Sequence, residues 1–437
     1  MSAPSTFDIL IVGGGQAATP LAFALAKAGK KVALAERRDL GGSCVNFGCI
    51  PTKSAIASAK VAHTARRASE FGLRVPQVEV DFPAVLRRAA DIALESRAGL
   101  DRRFEKSDNP KLLRGHARFL GPGFRLQVGE TEVSAAQVVV DTGNRTAIPS
   151  IPGLEKIKFL DAGNWLHRPE LPDRLAMIGG SYIGLEMAQF YRRMGSKVAV
   201  WESGPRIASH EDPDISDAIQ PFLEREGIEF HLNAHIESID QLNATHVFIA
   251  TGRKPNTGDL GLETVGVETD PHGYIKVDRR LATNVPGIWV AGDVRGGPQF
   301  THTSWDDYRI LKSQISGDGS RTTDRIVPYA MFTDPELARV GLTETAAQEK
   351  GLKFRVSKFE MKKNGKAREI GEPNGFIKIL LEENTGRILG AALLCASAAE
   401  LIHMYIDIMN AGASSTVIRD AIHIHPTLAE AVQSAVS

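Results

Sequence analysis

The stretch FDILIVGGGQAATPLAFALAKAGKKVALAER, residues 7–37, decides the first part of the fold. Its short apolar run over 9–12 is typical of a buried parallel strand. Apolar residues at helical spacing over 21–28 follow a glycine-rich turn, and Gly29 ends the predicted helix before a second strand over 32–35. The stretch therefore predicts a strand, a tight turn, a helix and a second parallel strand.

The turn between this strand and helix carries the chemistry. Gly13, Gly15 and Ala18 fit the G-x-G-x-x-G/A pattern directly after a strand. Gly13 permits a tight turn, Gly15 lets backbone N–H groups approach a pyrophosphate, and Ala18 allows close packing of helix on sheet. Glu36 closes the second strand, where a carboxylate can accept hydrogen bonds from ribose hydroxyls. We therefore expect a dinucleotide to bind here.

A second copy of the pattern is LAMIGGSYIGLEMAQFYRRMGSKVAVWES, residues 175–203. Gly179 and Gly184 hold its outer positions, and Ser181 replaces the central glycine with a small side chain that the turn tolerates. Two separated copies indicate two nucleotide-binding domains rather than a repeated solenoid.

The residue that ends the next strand, Glu202, bears on the choice of nucleotide. A carboxylate suits an unphosphorylated ribose, which favours NAD(H) over NADP(H). The alternative is an acidic residue that is merely solvated at a strand end. Arg206 is close in sequence and would weaken the preference, so NADP(H) remains open.

The rest of the chain changes character near residue 326, which predicts a third, α+β domain. Before that point, 51–70 and 81–106 are predicted helices, 111–140 predicts short strands, and the strands predicted at 246–250 and 288–292 both run into glycine. After it, GFIKILLE (375–382) and RILGAALLCA (387–396) predict antiparallel strands, and 397–412 and 427–435 predict helices.

Length and composition exclude several classes of protein. A chain of 437 residues predicts about three domains. Lys plus Arg and Asp plus Glu balance at 52 each, so no basic surplus indicates a nucleic-acid or anionic-membrane partner. No apolar run approaches the length of a membrane helix, and no basic segment precedes the first apolar run as in a signal peptide. Three cysteines do not build a secreted disulfide scaffold, so we expect a cytoplasmic protein.

Two cysteines stand in GGSCVNFGCIPTK, residues 41–53, just before a helix that Pro51 is suited to start. A helix N-terminus favours the thiolate of Cys44 or Cys49 by lowering its pKa. A C-x4-C pair in a cytoplasmic protein indicates redox or metal chemistry.

HIHPTLAE, residues 423–430, places His425 before a proline at a predicted helix start, with Glu430 inside the first turn. An acid at this spacing can orient the imidazole and raise its basicity, as acid–base catalysis requires. The alternative is a zinc site of Cys44, Cys49, His423 and His425. HIH lacks the usual H-x3–5-H spacing, and we predict no metal site.

Together these motifs resemble the pyridine nucleotide–disulfide oxidoreductases, the family of glutathione reductase, dihydrolipoamide dehydrogenase and mercuric reductase, over essentially the whole chain. VVVDTGN (138–144), ATGRKPN (250–256) and GIWVAGD (287–293) look like the family's remaining nucleotide-contact strands. The resemblance implies an α/β fold with two Rossmann-like domains and a C-terminal α+β dimerisation domain. The expected boundaries are an FAD domain at 1–148 and 265–325, an NAD domain at 149–264 and an interface domain at 326–437.

The resemblance also implies roles for individual residues. Cys49 would be the thiolate that touches the flavin, and Cys44 the outer thiol that exchanges with substrate. Lys53 would pair with Glu186 beside the flavin. His425 with Glu430 would shuttle a proton, and it would arrive from the partner subunit of an obligatory homodimer.

The cofactors implied are FAD and NAD(H), with NADP(H) possible. Asp293 would hold the ribityl chain, and Tyr182 would cover the flavin face until the nicotinamide displaces it. The implied cofactor-binding residues are Gly13, Gly15, Ala18, Glu36, Gly42, Ser43, Lys53, Ala117, Thr142, Gly143, Asp293, Thr301, Gly179, Ser181, Tyr182, Ile183, Gly184, Glu202 and Gly252.

The implied activity is electron transfer from NAD(P)H through flavin and a Cys44–Cys49 disulfide to a thiophilic metal ion, copper(II) or mercury(II), or to a disulfide. The stretches 308–337 and 390–422 look closest to the reactive-chlorine-resistance, mercuric-reductase-like branch, which is linked to copper(II) reduction. Mercuric reductases typically end with a vicinal cysteine pair, whereas this sequence ends EAVQSAVS, and Cys395 is interpreted as inert core. The alternatives are dihydrolipoamide dehydrogenase and a redox-sensing or structural flavoprotein.

Overall fold

The structure is a computed structural model that describes residues 5–437. The first predicted domain begins at residue 1, and residues 1–4 lie outside the described residues. The strands are β1 (Ser5–Val12), β2 (Val32–Glu36), β3 (Lys111–Arg114), β4 (Ala117–Gly121), β5 (Arg125–Val128), β6 (Thr131–Val140), β7 (Asn144–Thr146), β8 (Leu160–Asp161), β9 (Arg174–Ile178), β10 (Lys197–Trp201), β11 (Ile228–His231), β12 (His246–Ile249), β13 (Arg253–Pro255), β14 (Ile288–Val290), β15 (Tyr329–Met331), β16 (Glu336–Gly341), β17 (Phe354–Glu360), β18 (Phe376–Glu382) and β19 (Ile388–Cys395).

The α-helices lie between these strands, with single 3₁₀ turns in several loops. They are α1 (Ala18–Lys27), α2 (Gly42–Asn46), α3 (Cys49–Arg66), α4 (Phe82–Glu105), α5 (Tyr182–Met194), α6 (Pro213–Arg225), α7 (Thr301–Ser316), α8 (Glu344–Glu349), α9 (Gly365–Glu369), α10 (Ala398–Leu401), α11 (His403–Asn410), α12 (Thr416–Arg419) and α13 (Ala429–Ala435).

The first sheet has the strand order β3-β2-β1-β6-β5-β4, and β14 pairs with β6. The pairs of β1 with β2 and β6, of β2 with β3 and of β6 with β14 are parallel, and β4 to β6 form an antiparallel meander. Parallel strands bury both faces, which is why residues 9–12 are an uninterrupted apolar run. The carboxyl ends of β1 and β6 lie side by side, where ligands bind in open α/β sheets.

The second sheet has the order β11-β10-β9-β12-β8, and all its pairs are parallel. It confirms the second strand–turn–helix–strand unit, with α5 following the glycine turn after β9. β7 follows β6 of the first sheet, β13 follows β12 of the second sheet, and the two strands pair as an antiparallel ribbon. Its residues 144–146 and 253–255 follow the last strands of the two units, so the ribbon links the site regions of both sheets.

The third sheet is antiparallel, in the order β15-β16-β19-β18-β17. It confirms the antiparallel strands predicted at 375–382 and 387–396 and adds β15, β16 and β17. One continuous core joins this sheet to α3, α4, α5 and the second sheet through buried residues such as Ala55, Phe82, Phe190, Leu337 and Leu394. The elements that carry the candidate site are therefore held in fixed relation.

Several predicted boundaries were wrong. The helix predicted over 397–412 runs from Ala398 to Asn410 as α10 and α11, and the backbone of Ile402 between them is helical, with φ of −58° and ψ of −25°. The helix predicted from 427 begins at Ala429, and α6 and α7 were not predicted. Among residues 5–437, no helix has both the length and the apolarity that crossing a membrane would need.

Candidate active site

The two glycine turns open into one cavity of about 2520 Å³ that extends across the first and second sheets and reaches the third. Gly13 follows β1 with a φ of +103°, and a Cβ there would overlap the carbonyl oxygen of Asp141. A Cβ on Gly15 would lie 2.7 Å from an Asp141 carboxylate oxygen. The turn can form only without side chains, which leaves its backbone open to the cavity, as a bound pyrophosphate requires.

Each turn is held by the acidic residue that ends the following strand. Gly14 N–H donates to Glu36 Oε2 at 2.7 Å, and Gly180 N–H donates to Glu202 Oε2 at 2.7 Å. Ser181 has a φ of −94°, so the serine that replaces the central glycine is unstrained. Both sites therefore share one geometry, which fits two dinucleotides.

The predicted preference for NAD(H) depends on the charges around Glu202. Its second oxygen accepts from Gly204 N–H at 2.8 Å. Arg206 Nε donates instead to Asp217 Oδ1 at 2.8 Å, so its charge is already paired. Glu202 lines the cavity, and Arg206 does not pair with its carboxylate.

The cysteine pair lies where α2 and α3 meet in the cavity. Contrary to the predicted start near Pro51, α3 begins at Cys49 and Cys44 lies within α2, because Gly41 and Gly42 turn the chain early. Hydrogen bonding from the Cys44 thiol lowers the pKa of Cys49 to about 6, with Thr301 and Lys53 acting in the same direction against burial. The same contact and burial raise the pKa of Cys44. The lowered pKa of Cys49 beside the raised pKa of Cys44 favours Cys49 as the thiolate of the reduced pair.

Thr301 and Lys53 surround this thiolate. Thr301 Oγ1 lies 3.2 Å from Cys49 Sγ at the start of α7. Lys53 Nζ donates to Glu186 Oε2 at 2.6 Å, as the sequence predicts, and lies 4.8 Å from the centroid of the Phe332 ring. The other oxygen of Glu186 accepts from Phe332 N–H at 2.8 Å, which fixes the pair between α3, α5 and β15.

Asp293 lies at the carboxyl end of β14 beside Arg253. Arg253 Nη1 donates to Asp293 Oδ2 at 3.0 Å, and burial raises the pKa of Asp293 in spite of this cation. Thr142 Oγ1 donates to the carbonyl oxygen of Asn256 at 2.9 Å. These contacts join the ends of β6 and β14 to the ribbon of β7 and β13.

His425 and Glu430 form the predicted pair but do not reach the cavity of their own chain. His425 Nδ1 lies 2.9 Å from Glu430 Oε1. Hydrogen bonds from Thr427 N–H and His425 lower the pKa of Glu430, so the carboxylate accepts, which orients the imidazole with Nδ1 towards Glu430 and Nε2 away from it. The side chain of His425 is 77% exposed. Pro426 does not start the helix as predicted, since α13 begins three residues later.

Most predicted site residues line this cavity. Ala18 and Gly184 do not; both pack helices onto sheets, and a Cβ on Gly184 would overlap the carbonyl oxygen of Gly179. The lining residues are Gly13, Gly15, Glu36, Gly42, Ser43, Cys44, Cys49, Lys53, Ala117, Thr142, Gly143, Gly179, Ser181, Tyr182, Ile183, Glu186, Glu202, Gly252, Asp293 and Thr301.

Sequence reasoning missed several charged and polar residues. Asp141 is fully buried beside the first turn, where its Oδ2 accepts from Ala18 N–H at 3.0 Å and burial raises its pKa. Asp141 and Arg253 were each part of a quoted motif but received no role. Glu211 accepts hydrogen bonds from Tyr182 and Tyr329, which lie in distant parts of the chain, and no local sequence pattern marks Glu211 or Tyr329.

The four side chains of the zinc alternative are not brought together within one chain. Among residues 5–437, no three His, Cys, Asp or Glu side chains are grouped so that they could hold a metal ion. Cys44 and Cys49 lie in the cavity, whereas His423 and His425 lie near the C-terminal helix.

Comparison with known proteins agrees with this geometry. The family model described as pyridine nucleotide-disulphide oxidoreductase matches residues 7–307, and the model of that family's dimerisation domain matches residues 327–436. The chain is 35% identical to the probable pyridine nucleotide-disulfide oxidoreductase RclA of Escherichia coli, over 98% of each protein. It is 33% identical to mitochondrial dihydrolipoyl dehydrogenase 1 of Arabidopsis thaliana, over 98% of this chain and 89% of the relative.

Solved structures of similar proteins superpose closely on this chain. The chain superposes with a TM-score of 0.91 and 33% identity on a structure described as the Cu(II) complex of HOCl-induced flavoprotein disulfide reductase RclA from Escherichia coli. The match covers 99% of both chains. A second structure of that reductase, described without copper, superposes with a TM-score of 0.90.

Proposed function

This chain belongs to the pyridine nucleotide-disulphide oxidoreductase family, and on that premise we propose that it reduces a thiophilic metal ion, copper(II) in the first place, with electrons from NADH. The observation that carries the proposal is the Cys44–Cys49 pair, which holds one lowered-pKa thiol in the cavity. Family membership implies the use of FAD and NAD(P)H.

The residues of the cavity fit both cofactors. We propose that the turn at Gly13 and Gly15 with Glu36 holds the adenosine and pyrophosphate of FAD, and that Gly179, Ser181 and Glu202 hold the nicotinamide dinucleotide. When bound, FAD would accept a hydride from the nicotinamide and pass two electrons to a disulfide. The other roles belong to the protein's own side chains.

Cys49 and Cys44 divide the thiol chemistry between them. The lowered pKa of Cys49 keeps it a thiolate, and Lys53, held by Glu186, offsets its negative charge. Cys44 keeps its proton because its pKa is raised. We assign Cys49 to the flavin side and Cys44 to exchange with the acceptor, as in the family the sequence resembles.

The proton carrier of the proposal comes from a second copy of this chain. The His425–Glu430 pair does not line the cavity of its own chain, although its geometry suits a base. Beside it, Ile422 and Ile424 are 100% and 79% exposed, which marks an apolar surface that a second copy would bury. The family's dimerisation domain covers this segment, which supports a homodimer.

Three observations favour copper as the acceptor. Thiolates prefer soft metals such as copper and mercury, and Cys44 and Cys49 offer two sulfur atoms in one cavity. The third cysteine, Cys395, is fully buried in the core of the third sheet and cannot relay a metal ion. The similar Escherichia coli reductase has been solved as a Cu(II) complex, which supports copper over mercury.

Dihydrolipoamide oxidation is the second candidate. The identity to dihydrolipoyl dehydrogenases is 33%, close to that of the reductase, and a His–Glu pair suits thiol chemistry equally well. The acceptor therefore distinguishes the two proposals.

A panel of acceptors under NADH tests the proposal. We expect purified protein to be yellow, to bind FAD, and to oxidise NADH faster with copper(II) than with mercury(II), lipoamide or glutathione disulfide. The control is protein stripped of FAD, which accounts for any direct reaction of NADH with the metal. Colourless protein that takes up no FAD, or turnover restricted to lipoamide, would contradict the proposal.

Nucleotide preference follows from Glu202. A 2′-phosphate at this position would meet the Glu202 carboxylate, and Arg206 is paired with Asp217. We expect wild-type protein to prefer NADH, and Glu202→Ala and Glu202→Gln to narrow that preference by about tenfold, chiefly by improving KM for NADPH. Steady-state kinetics with both nucleotides measure this.

The two substitutions separate charge from structure. Glu202→Gln keeps an oxygen that can accept from Gly180 N–H, so it isolates the charge. Glu263→Ala removes an exposed carboxylate away from the second glycine turn and serves as the control. A wild-type enzyme that is faster with NADPH would contradict the prediction.

A further inference from the structure

Two tyrosines that line the cavity share one oxygen of a buried carboxylate. The hydroxyl groups of Tyr182 and Tyr329 both donate to Glu211 Oε1, each at 2.7 Å. The two rings stack with centroids 5.5 Å apart and an interplanar angle of 29°. Burial and the Glu211 carboxylate raise the pKa of both phenols, so both stay protonated and both remain donors.

The other oxygen of Glu211 is fixed by an arginine of the third sheet. Arg339 Nε donates to Glu211 Oε2 at 2.6 Å, and both side chains are almost completely buried. Arg339 Nη2 also lies 3.2 Å from Asp212 Oδ2. Arg339 is buried and is held by both Glu211 and Asp212. The ion pair with Arg339 therefore leaves the Glu211 carboxylate little freedom to follow a tyrosine that moves.

The stack continues towards the thiols. Phe300 stacks on Tyr329 with centroids 5.4 Å apart and an angle of 9°. The next residue, Thr301, contacts Cys49 Sγ. Tyr329 is therefore packed on both faces, by Tyr182 and by Phe300, whereas Tyr182 begins α5 at the glycine turn and lines the cavity.

We propose that Glu211, Tyr182 and Tyr329 form a latch in which Glu211 holds Tyr182 closed and Tyr329 keeps the carboxylate satisfied while Tyr182 is open. The inference rests on the proposed function, in which Tyr182 covers the flavin face until the nicotinamide arrives. It assigns positioning roles to Glu211 and Tyr329, which set the equilibrium between the closed and open positions of Tyr182.

The physical reason is the penalty for leaving a buried acceptor unpaired. When Tyr182 moves away, Glu211 loses one donor but keeps Tyr329 on the same oxygen and Arg339 on the other. Without the Tyr329 hydroxyl, opening would leave Oε1 with no donor among residues 5–437, and the closed state would be favoured. Without the Tyr182 hydroxyl, the closed state loses its hydrogen bond and opening becomes easier.

The latch therefore predicts that replacing each tyrosine with phenylalanine changes the affinity for NAD⁺ in opposite directions. In the FAD-loaded enzyme, Tyr182→Phe should lower the Kd for NAD⁺ and Tyr329→Phe should raise it. Each change should be about tenfold, as expected for one hydrogen bond to a charged group. Both substitutions keep the ring and the stacking. Calorimetric titration with NAD⁺ gives the Kd, and stopped-flow reduction of the flavin by NADH should change in the same order.

The double variant and a control make the test specific. Tyr182→Phe/Tyr329→Phe should behave like Tyr182→Phe, because Tyr329 matters only while Tyr182 has a bond to lose. Tyr191→Phe is the control, since that buried hydroxyl has no hydrogen-bond partner within residues 5–437, and NAD⁺ affinity should not change. The same direction for both single variants, or a Tyr329→Phe penalty that persists in the double variant, would overturn the latch alone. Wild-type flavin that neither NADH nor NADPH reduces would overturn the proposed function, and the latch with it.

Discussion

Cys49→Ser should reduce NADH-driven turnover with every acceptor to the enzyme-free background, and it should remove the long-wavelength thiolate–flavin absorption band of the reduced enzyme. The reason is that Cys49 is the thiol whose pKa falls to about 6, whereas the pKa of Cys44 is raised. Cys44→Ser should also stop turnover but keep or intensify the band, because Cys49 then has no sulfur to pair with. Absorption spectra during anaerobic titration with NADH measure the band in both variants, and NADH oxidation with each acceptor measures turnover.

The intensity of the thiolate–flavin band should also depend on pH. A thiol whose pKa is lowered from 9.0 to about 6 is a thiolate above that value and a thiol below it, so the band should fade as the pH decreases through about 6. Lys53→Met removes a nearby positive charge that helps to lower this pKa, and the midpoint should move upwards. Cys395→Ala alters only the buried thiol of the third sheet and should leave the band unchanged. A band that survives in Cys49→Ser would refute the assignment of the two thiols.

The parts of the site that the sequence predicts are those carried by short, contiguous patterns. The turn at Gly13 and the twin turn at Gly179 are recognisable because only glycine fits where a Cβ would overlap backbone. The Cys44–Cys49 pair and the His425–Glu430 pair are also recognisable in the sequence, because the two members of each pair are only five residues apart. The sequence patterns therefore predict two nucleotide-binding units, the thiols and the base.

The residues that were missed act across long sequence separations. Glu211 meets Tyr182 from 29 residues away and Tyr329 from 118 residues away. Asp141 meets Ala18 from 123 residues away. Such contacts depend on how the sheets pack, which local propensity does not specify. The domain boundaries, the cytoplasmic location and the roles of individual residues remain predictions.

The largest difference between acceptors should come from His425. Cleaving a disulfide releases a thiolate that must be protonated, and His425 Nε2 is free for this because Glu430 holds Nδ1. His425→Ala should therefore lower turnover of lipoamide by about 10²- to 10⁴-fold, the range for a lost acid–base group. Reduction of copper(II) consumes one electron per ion, two ions per NADH, and transfers no proton to the acceptor, so it should fall much less. NADH oxidation with each acceptor gives the two rates.

The controls separate the proton carrier from the fold around it. His423→Ala removes an imidazole two residues away that makes no pair with Glu430 and should leave both rates close to wild type. Cys44→Ser should stop both reactions, because both acceptors meet the outer thiol. An equal loss with copper(II) and lipoamide in His425→Ala would mean that the base serves the thiol pair itself rather than the leaving group. Rapid wild-type turnover of lipoamide with negligible reduction of copper(II) would reject the metal acceptor and favour the dihydrolipoamide dehydrogenase activity.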